Sequence, residues 1–264
     1  MPAIDIIGFI LTGVFTGVLA GLFGVGGGTI MVPALIFLFA HLGVGGVWAT
    51  HLAVGTSLAT IVGTGAASTL AHHRRGGVHW DLVAGLAPGI LLGAWAGAAL
   101  AGLLPGLWLK RLFAVFLTYV GVTMLAPKRT APPGTLPGVA GLWAVGSGIG
   151  AMSSLVGIGG GTMTVPFLAR CGLDLRHAVG TSAACGLPIA IAGAIGFVVV
   201  GWERTGLPAA STGFVYWPAV VLMLLASMPT APLGARLAHR LPVAHLKRTF
   251  GLFLLLIAAQ LALG

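Results

Sequence analysis

Acidic side chains are almost missing from this sequence: there are four Asp and Glu, against 13 Lys and Arg, in 264 residues. Charged residues of either sign make up only 6% of the chain, where a soluble domain carries about 25%, and that is too few to cover a water-facing surface. Two cysteines, Cys171 and Cys185, exclude a disulfide framework or a cysteine-rich metal centre. Asp5, Asp81, Asp174 and Glu203 fall in predicted loops or at the ends of apolar runs, which leaves no carboxylate for an intramembrane proton relay. Spaced carboxylate pairs, an HExxH motif and a Cys–His arrangement are all missing, so membrane-embedded enzyme chemistry has no support.

What fills the chain instead is apolar sequence, at 58% of residues and a mean hydropathy of +1.07. Crossing the hydrocarbon takes about 20 apolar residues in a helix. Ala49–Ala71, Leu82–Leu104, Leu112–Ala126, Ala178–Val200, Phe214–Ala235 and Phe250–Leu263 meet that pattern. Ile6–Leu42 and Val139–Leu168 are similar but broken by glycines. The expected fold is an all-α polytopic membrane protein of 8–10 transmembrane or re-entrant helices. The start of the chain lacks the basic n-region of a signal peptide, so the first apolar stretch is expected to be retained. The +9 net charge sits in short clusters between apolar runs, as expected of loops facing anionic lipid and not of a nucleic-acid surface.

The sequence also repeats itself. GVGGGTIMVP at Gly24–Pro33 returns as GIGGGTMTVP at Gly157–Pro166, shifted by 133. AVGTS at Ala53–Ser57 returns at Ala178–Ser182, shifted by 125. Pro105, Lys110, Arg111 and Phe113 match Pro242, Lys247, Arg248 and Phe250, shifted by 137. Three matches in one order indicate internal duplication. The halves are 1–127 and 139–264, joined by a polar, proline-rich linker at 128–138 that cannot continue a helix.

Positive charge decides between parallel and inverted halves, because Lys and Arg accumulate on the cytoplasmic side. If each glycine-broken stretch enters and returns, the second half is upside down. Arg74, Arg75, Lys128, Arg129, Arg170, Arg176, Arg236, Arg240, Lys247 and Arg248 then share one side, with Lys110, Arg111 and Arg204 on the other, a tally of ten to three. A single crossing for each broken stretch would give parallel halves and eight to five. Inverted repeats with both termini outside are the expectation.

Irregular backbone at membrane depth survives only where it is buried in protein or lines a cavity. The triple glycines Gly26, Gly27, Gly28 and Gly159, Gly160, Gly161 are candidates for such a lining, with Thr29 and Thr162 as N-caps of restarting helices and Pro33 and Pro166 in the first turn. A helix N-terminus offers unpaired amide donors and a partial positive charge of roughly half an electron. That is an anion site without a buried cation. A phosphate-cradling P-loop is excluded, since no lysine follows the glycines. Thr56, Ser57, Thr181 and Ser182 are candidate hydroxyl donors, although such residues also bond the carbonyl one turn back. Gly13, Gly17 and Gly21, and Gly85, Gly89, Gly93 and Gly97, spaced four apart, are read as helix-packing glycines.

His51 and His177 each precede an AVGTS-bearing span, and are the best-placed groups for proton coupling or else ordinary interfacial histidines. His72 and His73 read as part of the basic loop with Arg74 and Arg75. Trp48, Trp80, Trp202 and Trp217 lie near span ends, as aromatic belts do. No metal ligand set or cofactor is expected, and the expected partners are lipid and a small anionic substrate.

The paired GGGT-containing segments, the AVGTS pair, the central linker and the chain length resemble the TauE/SafE sulfite-exporter family. The likeness spans essentially the whole chain. It implies a secondary transporter of small anions in the bacterial inner membrane, with sulfite, thiosulfate and sulfoacetate among the family's cargo types. Together with the glycine breaks it makes an alternating-access carrier the leading expectation, with a passive anion channel of the same architecture as the rival.

Overall fold

A computed structural model describes residues 3–23, 27–125, 135–237 and 243–263. Gly24, Gly26, Lys128, Arg129, Arg240, Pro242 and most of the 128–138 linker lie outside the described residues.

The apolar stretches fold as ten helices: α1 (Ala3–Phe23), α2 (Gly28–Leu42), α3 (Ala49–His73), α4 (Trp80–Leu103), α5 (Gly106–Leu125), α6 (Val139–Val156), α7 (Gly161–Arg170), α8 (Leu175–Gly201), α9 (Trp217–Leu237) and α10 (Val243–Leu263). Six of them, α3–α6, α8 and α9, are long and apolar enough to cross a membrane. Each glycine run separates two helices, α1 from α2 and α6 from α7. Among the described residues, the departure from an all-helical reading is a small hairpin before α9. Strands β1 (Ser211–Thr212) and β2 (Val215–Tyr216) pair antiparallel, with Ser211 opposite Tyr216.

The surface is apolar and the interior carries hydroxyls, the reverse of a water-soluble protein. Leu92, Leu103, Leu225 and Leu256 are exposed, while Thr56, Ser57, Thr60 and Thr64 are fully buried. In lipid, exposed leucine costs nothing and a bare hydroxyl does.

Small residues set the closest helix pairs. A Cβ on Gly89, Gly93 or Gly97 of α4 would collide with the carbonyls of Trp143, Ser147 or Ala151 of α6. Residue numbers rise together on both helices, so the pair is parallel. Gly13, Gly17 and Gly21 of α1 meet Met223, Ser227 and Ala231 of α9 in the same parallel sense. The packing assignment of these glycines therefore holds for backbone approach. Gly85 is looser, with Leu142 Cδ1 at 3.0 Å from its built Cβ.

α3 is the most enclosed span, 72% buried against 39–56% for the others. It runs antiparallel to α8, with Gly55 beside Phe197, Leu58 beside Gly193, Gly65 beside Leu187 and His72 beside Gly180. α5 and α10 are also antiparallel neighbours, through Gly121 and Leu255. α1 and α2 form a hairpin in which Phe9 meets Phe39, with ring centroids 6.4 Å apart, and Gly27 lies against Thr16. Replacing each helix by the one five places later exchanges α1·α9 with α6·α4, α3·α9 with α8·α4 and α2·α3 with α7·α8, all of them packed pairs.

Candidate anion site at the helix breaks

The second break is described in full. α6 closes on Gly157, whose φ of 78° lies in the left-handed region that glycine enters freely. The amides of Gly157 and Ile158 turn back onto the carbonyls of Ser154 and Ser153. α7 then starts from Gly160, again left-handed at φ 75°, whose carbonyl accepts from Met163 and Thr164. The first break has the same start: Gly27, at φ 78°, caps α2 and accepts from Ile30 and Met31.

Two expectations are corrected here. The N-caps are Gly27 and Gly160, and Thr29 and Thr162 stand two residues inward as the second helical residues. A left-handed cap excludes a β-branched residue at that position. Pro33 and Pro166 consequently fall beyond the first turn, inside their helices.

The breaks meet across the two halves. A Cβ on Gly28 would collide with the carbonyl oxygen of Gly157 and stand 2.8 Å from Ile158 Cα. Only glycine allows that approach. Residues 153–162 are buried without interruption, as are 27–33. First-turn amides of a helix have no intrahelical partner, and Gly161 and Thr162, which open α7, are both buried here. Around it, Ser153 Oγ, Ser154 Oγ and Thr162 Oγ1 are buried with no hydrogen-bond partner among the described residues. Ser153 Oγ lies 3.6 Å from the position a Cβ on Gly160 would occupy. Ser153 and Ser154 were not picked out in the sequence, though they end the apolar run just before Gly157.

The AVGTS hydroxyls serve the junction between halves. Ser57 Oγ donates to the Gly157 carbonyl at 2.9 Å. Thr56 Oγ1 accepts from the Tyr216 amide at 3.0 Å, and Thr181 Oγ1 accepts from the His79 amide at 3.0 Å. Each threonine thereby holds the residue preceding a helix of the opposite half, α9 or α4. Ser182 is buried at the same level of α8 as Ser57 is on α3.

The two histidines lie at opposite ends of the antiparallel α3–α8 pair. His51 is fully buried and its Nε2 meets the carbonyls of Ala101 at 3.0 Å and Leu104 at 3.1 Å, while its ring stacks on Phe214 at 5.0 Å. His177 is half-exposed, 3.3 Å from Asp174 Oδ2 and with its ring 5.0 Å from that of His79. His72 departs from the loop reading: it is buried, with Nε2 3.1 Å from the Gly21 carbonyl. Outside the spans, partial burial pushes the Cys171 thiol above its ordinary value, so at neutral pH it is no thiolate nucleophile. No group of three metal-ligating side chains occurs among the described residues.

Comparison with known proteins agrees with this architecture. The model of the "Sulfite exporter TauE/SafE" family matches residues 9–261. The chain belongs to the TauE/SafE family. It is 38% identical over 256 residues to a "Probable membrane transporter protein" of Haemophilus influenzae, covering 96% of this chain and 97% of that one. A protein of the same description from Xylella fastidiosa is 30% identical over 94% of this chain and 91% of its own length. One from Methanocaldococcus jannaschii is 26% identical over 97% and 96%. No solved structure matches the chain. This TauE/SafE protein is thus a multi-pass membrane transporter.

Proposed function

We propose that the protein is a secondary transporter of small anions of the sulfur-oxyanion or organosulfonate class, working by alternating access. The anion is held by the free amides of Gly28, Thr29, Gly161 and Thr162, at the starts of α2 and α7, with Gly27, Gly159 and Gly160 keeping the backbone open to it. The observation that carries this reading is the meeting of Gly28 with Gly157, which brings the two helix breaks together in one buried region beside three unpartnered hydroxyls. The start of α2 packs against the end of α6, three residues ahead of the α7 cap Gly160, and a helix N-terminus favours negative charge without a buried Lys or Arg. Thr56, Ser57, Thr181 and Ser182 position the two halves around the site. Continuous burial of 153–162 favours a carrier caught closed over a passive channel, whose lining would be open to water.

The halves are read as inverted repeats. Counterpart helices α3 and α8, and α5 and α10, lie antiparallel, as a two-fold axis in the membrane plane requires. The ten-to-three charge tally supports a bacterial inner-membrane setting with both termini outside and the Arg74–Arg75 end in the cytoplasm.

Purified protein in liposomes tests the function. Saturable counterflow of sulfite, thiosulfate or sulfoacetate, lost in Gly160→Val while the protein still inserts, is expected. Normal counterflow in both Gly27→Val and Gly160→Val would remove the site from the breaks. Linear, unsaturable flux would make the protein a channel.

A further inference from the structure

The pattern that relates the halves holds for the backbone and fails for the chemistry along one helix. On α3, Thr56, Thr60, Thr64, Ser68 and His72 recur at every fourth position and so form a continuous stripe, each beside the last, that winds about 160° around the helix. All five are buried, none more than 3% exposed. This file starts beside Ser57, at the breaks, and runs about 24 Å, or 16 residues of helix, to the end that carries Arg74 and Arg75. It faces α9 and α1: Thr64 Oγ1 lies 2.6 Å from Ser227 Oγ, and His72 Nε2 meets the Gly21 carbonyl. Thr60 and Thr64 donate to carbonyls one turn back, at 2.8 and 3.2 Å. Ser68 Oγ is buried with no hydrogen-bond partner among the described residues, and so is its neighbour Thr69 Oγ1.

The counterpart positions on α8 are Thr181, Cys185, Ile189, Gly193 and Phe197. Where Thr64 bonds Ser227, the other half has Ile189 in one apolar cluster with Ile90. That cluster also holds Cys185 and Ile149. At the opposite end of α3, Trp48, His51 and Phe214 stack over the start of the helix. One route away from the breaks is lined with hydroxyls, and the others are apolar or aromatic.

We propose that the hydroxyl file on α3 is the path along which the anion moves between the breaks and the Arg74–Arg75 end. The proposal rests on the reading of the breaks as the anion site. Thr60 and Thr64 can rotate from a carbonyl to a passing oxyanion and exchange one hydrogen bond for a stronger one, since bonds to charged acceptors are about twice as strong as neutral ones. Ser68 has no bond to give up. Ser227 extends the lining from α9. A buried hydroxyl without a partner is costly, and an anion path gives Ser68 a use that packing does not.

Cysteine accessibility tests the route, with a control already in the chain. In a Cys171→Ser background, Thr60→Cys, Thr64→Cys and Ser68→Cys are treated in liposomes with 2-sulfonatoethyl methanethiosulfonate, a small membrane-impermeant sulfonate. Cys185, the counterpart of Thr60, stays as the dry reference. Intact mass should show the introduced cysteines modified, Ser68→Cys fastest and from the Arg74–Arg75 side only, with Cys185 unmodified. As a second readout, Thr64→Val should slow anion flux roughly tenfold or more, as loss of a bond to a charged group implies. Thr64→Ser should restore it. Flux with no modification at 60, 64 and 68 overturns the route and leaves the transport function standing. Modification without saturable flux of any tested anion overturns the transport reading, and the anion route with it.

Discussion

The hydroxyl of Ser57 donates to the carbonyl oxygen of Gly157, 2.9 Å away and 100 residues distant in the chain. This bond ties the central helix of one half to the glycine break of the other. It has an electrostatic consequence as well. An unpaired carbonyl at the breaks would repel an anion, and the serine proton occupies that acceptor. Ser57→Ala is therefore expected to cost about 1–3 kcal/mol of stability, the usual cost of orphaning a buried acceptor, and also to weaken anion binding. The melting temperature in detergent and its rise with added sulfite or thiosulfate read the two effects separately. An unchanged melting temperature would show that the bond contributes nothing.

The threonine clamps should not be equal. Thr56 serves the amide of Tyr216 in a buried bond, whereas Thr181 serves the amide of His79, an exposed residue, in a bond that is only part-buried. Removing the hydroxyl leaves the first amide without any partner and leaves the second to water. Thr56→Val should destabilise the protein by roughly 1–3 kcal/mol, and Thr181→Val by well under half as much. Equal melting temperatures for the two variants would contradict this asymmetry.

Backbone conformation makes a sharper comparison among glycines. Gly160 sits at φ 75° with Ile189 pressed against its Cβ position, while Gly148 on α6 has nothing within 4 Å. Gly160→Ala is expected to lose about 1–2 kcal/mol for the left-handed conformation alone, and more from the contact. Gly148→Ala should be neutral or slightly stabilising, as alanine replaces glycine in a helix. Gly93→Val should be worse than either, because the Ser147 carbonyl of α6 already fills that space. Yield of folded protein and melting temperature give the order, and a Gly93 variant as stable as the parent would refute the packing role.

These contrasts mark what the sequence carried and what it did not. The spans, the breaks and the duplication were legible because lipid demands long apolar runs and glycine triplets interrupt them visibly. Cap identity was not: a GGGT string offers threonine as a conventional N-cap, and only backbone angles place the left-handed cap on the middle glycine, two residues before it. The partners of Thr56, Ser57 and Thr181 lie in the opposite half, and no local pattern announces such a bond. His72 read as a loop residue because two arginines follow it closely, yet α3 continues through it. The every-fourth-residue hydroxyls of α3 were visible in the sequence, and the contrast with Cys185, Ile189 and Phe197 gains meaning only once α3 and α8 are seen as packed counterparts.

His51 gives the clearest test of whether a buried histidine here carries protons or holds structure. Its Nε2 lies within hydrogen-bond distance of two carbonyls at the end of α4, and its ring fills the space between Trp48 and Phe214. Those contacts describe a helix-end cap, since the last carbonyls of a helix lack intrahelical partners. His51→Gln keeps an amide donor of similar reach and should retain most of the stability and transport. His51→Leu keeps the bulk, removes the donor and takes away the partner of the Leu104 carbonyl, while that of Ala101 keeps the Leu104 amide, and should lose about 1–3 kcal/mol. If the structural role is the whole of it, the pH dependence of transport will be the same in His51→Gln and the parent. A glutamine variant that folds normally but loses its response to a pH gradient would make His51 a proton carrier.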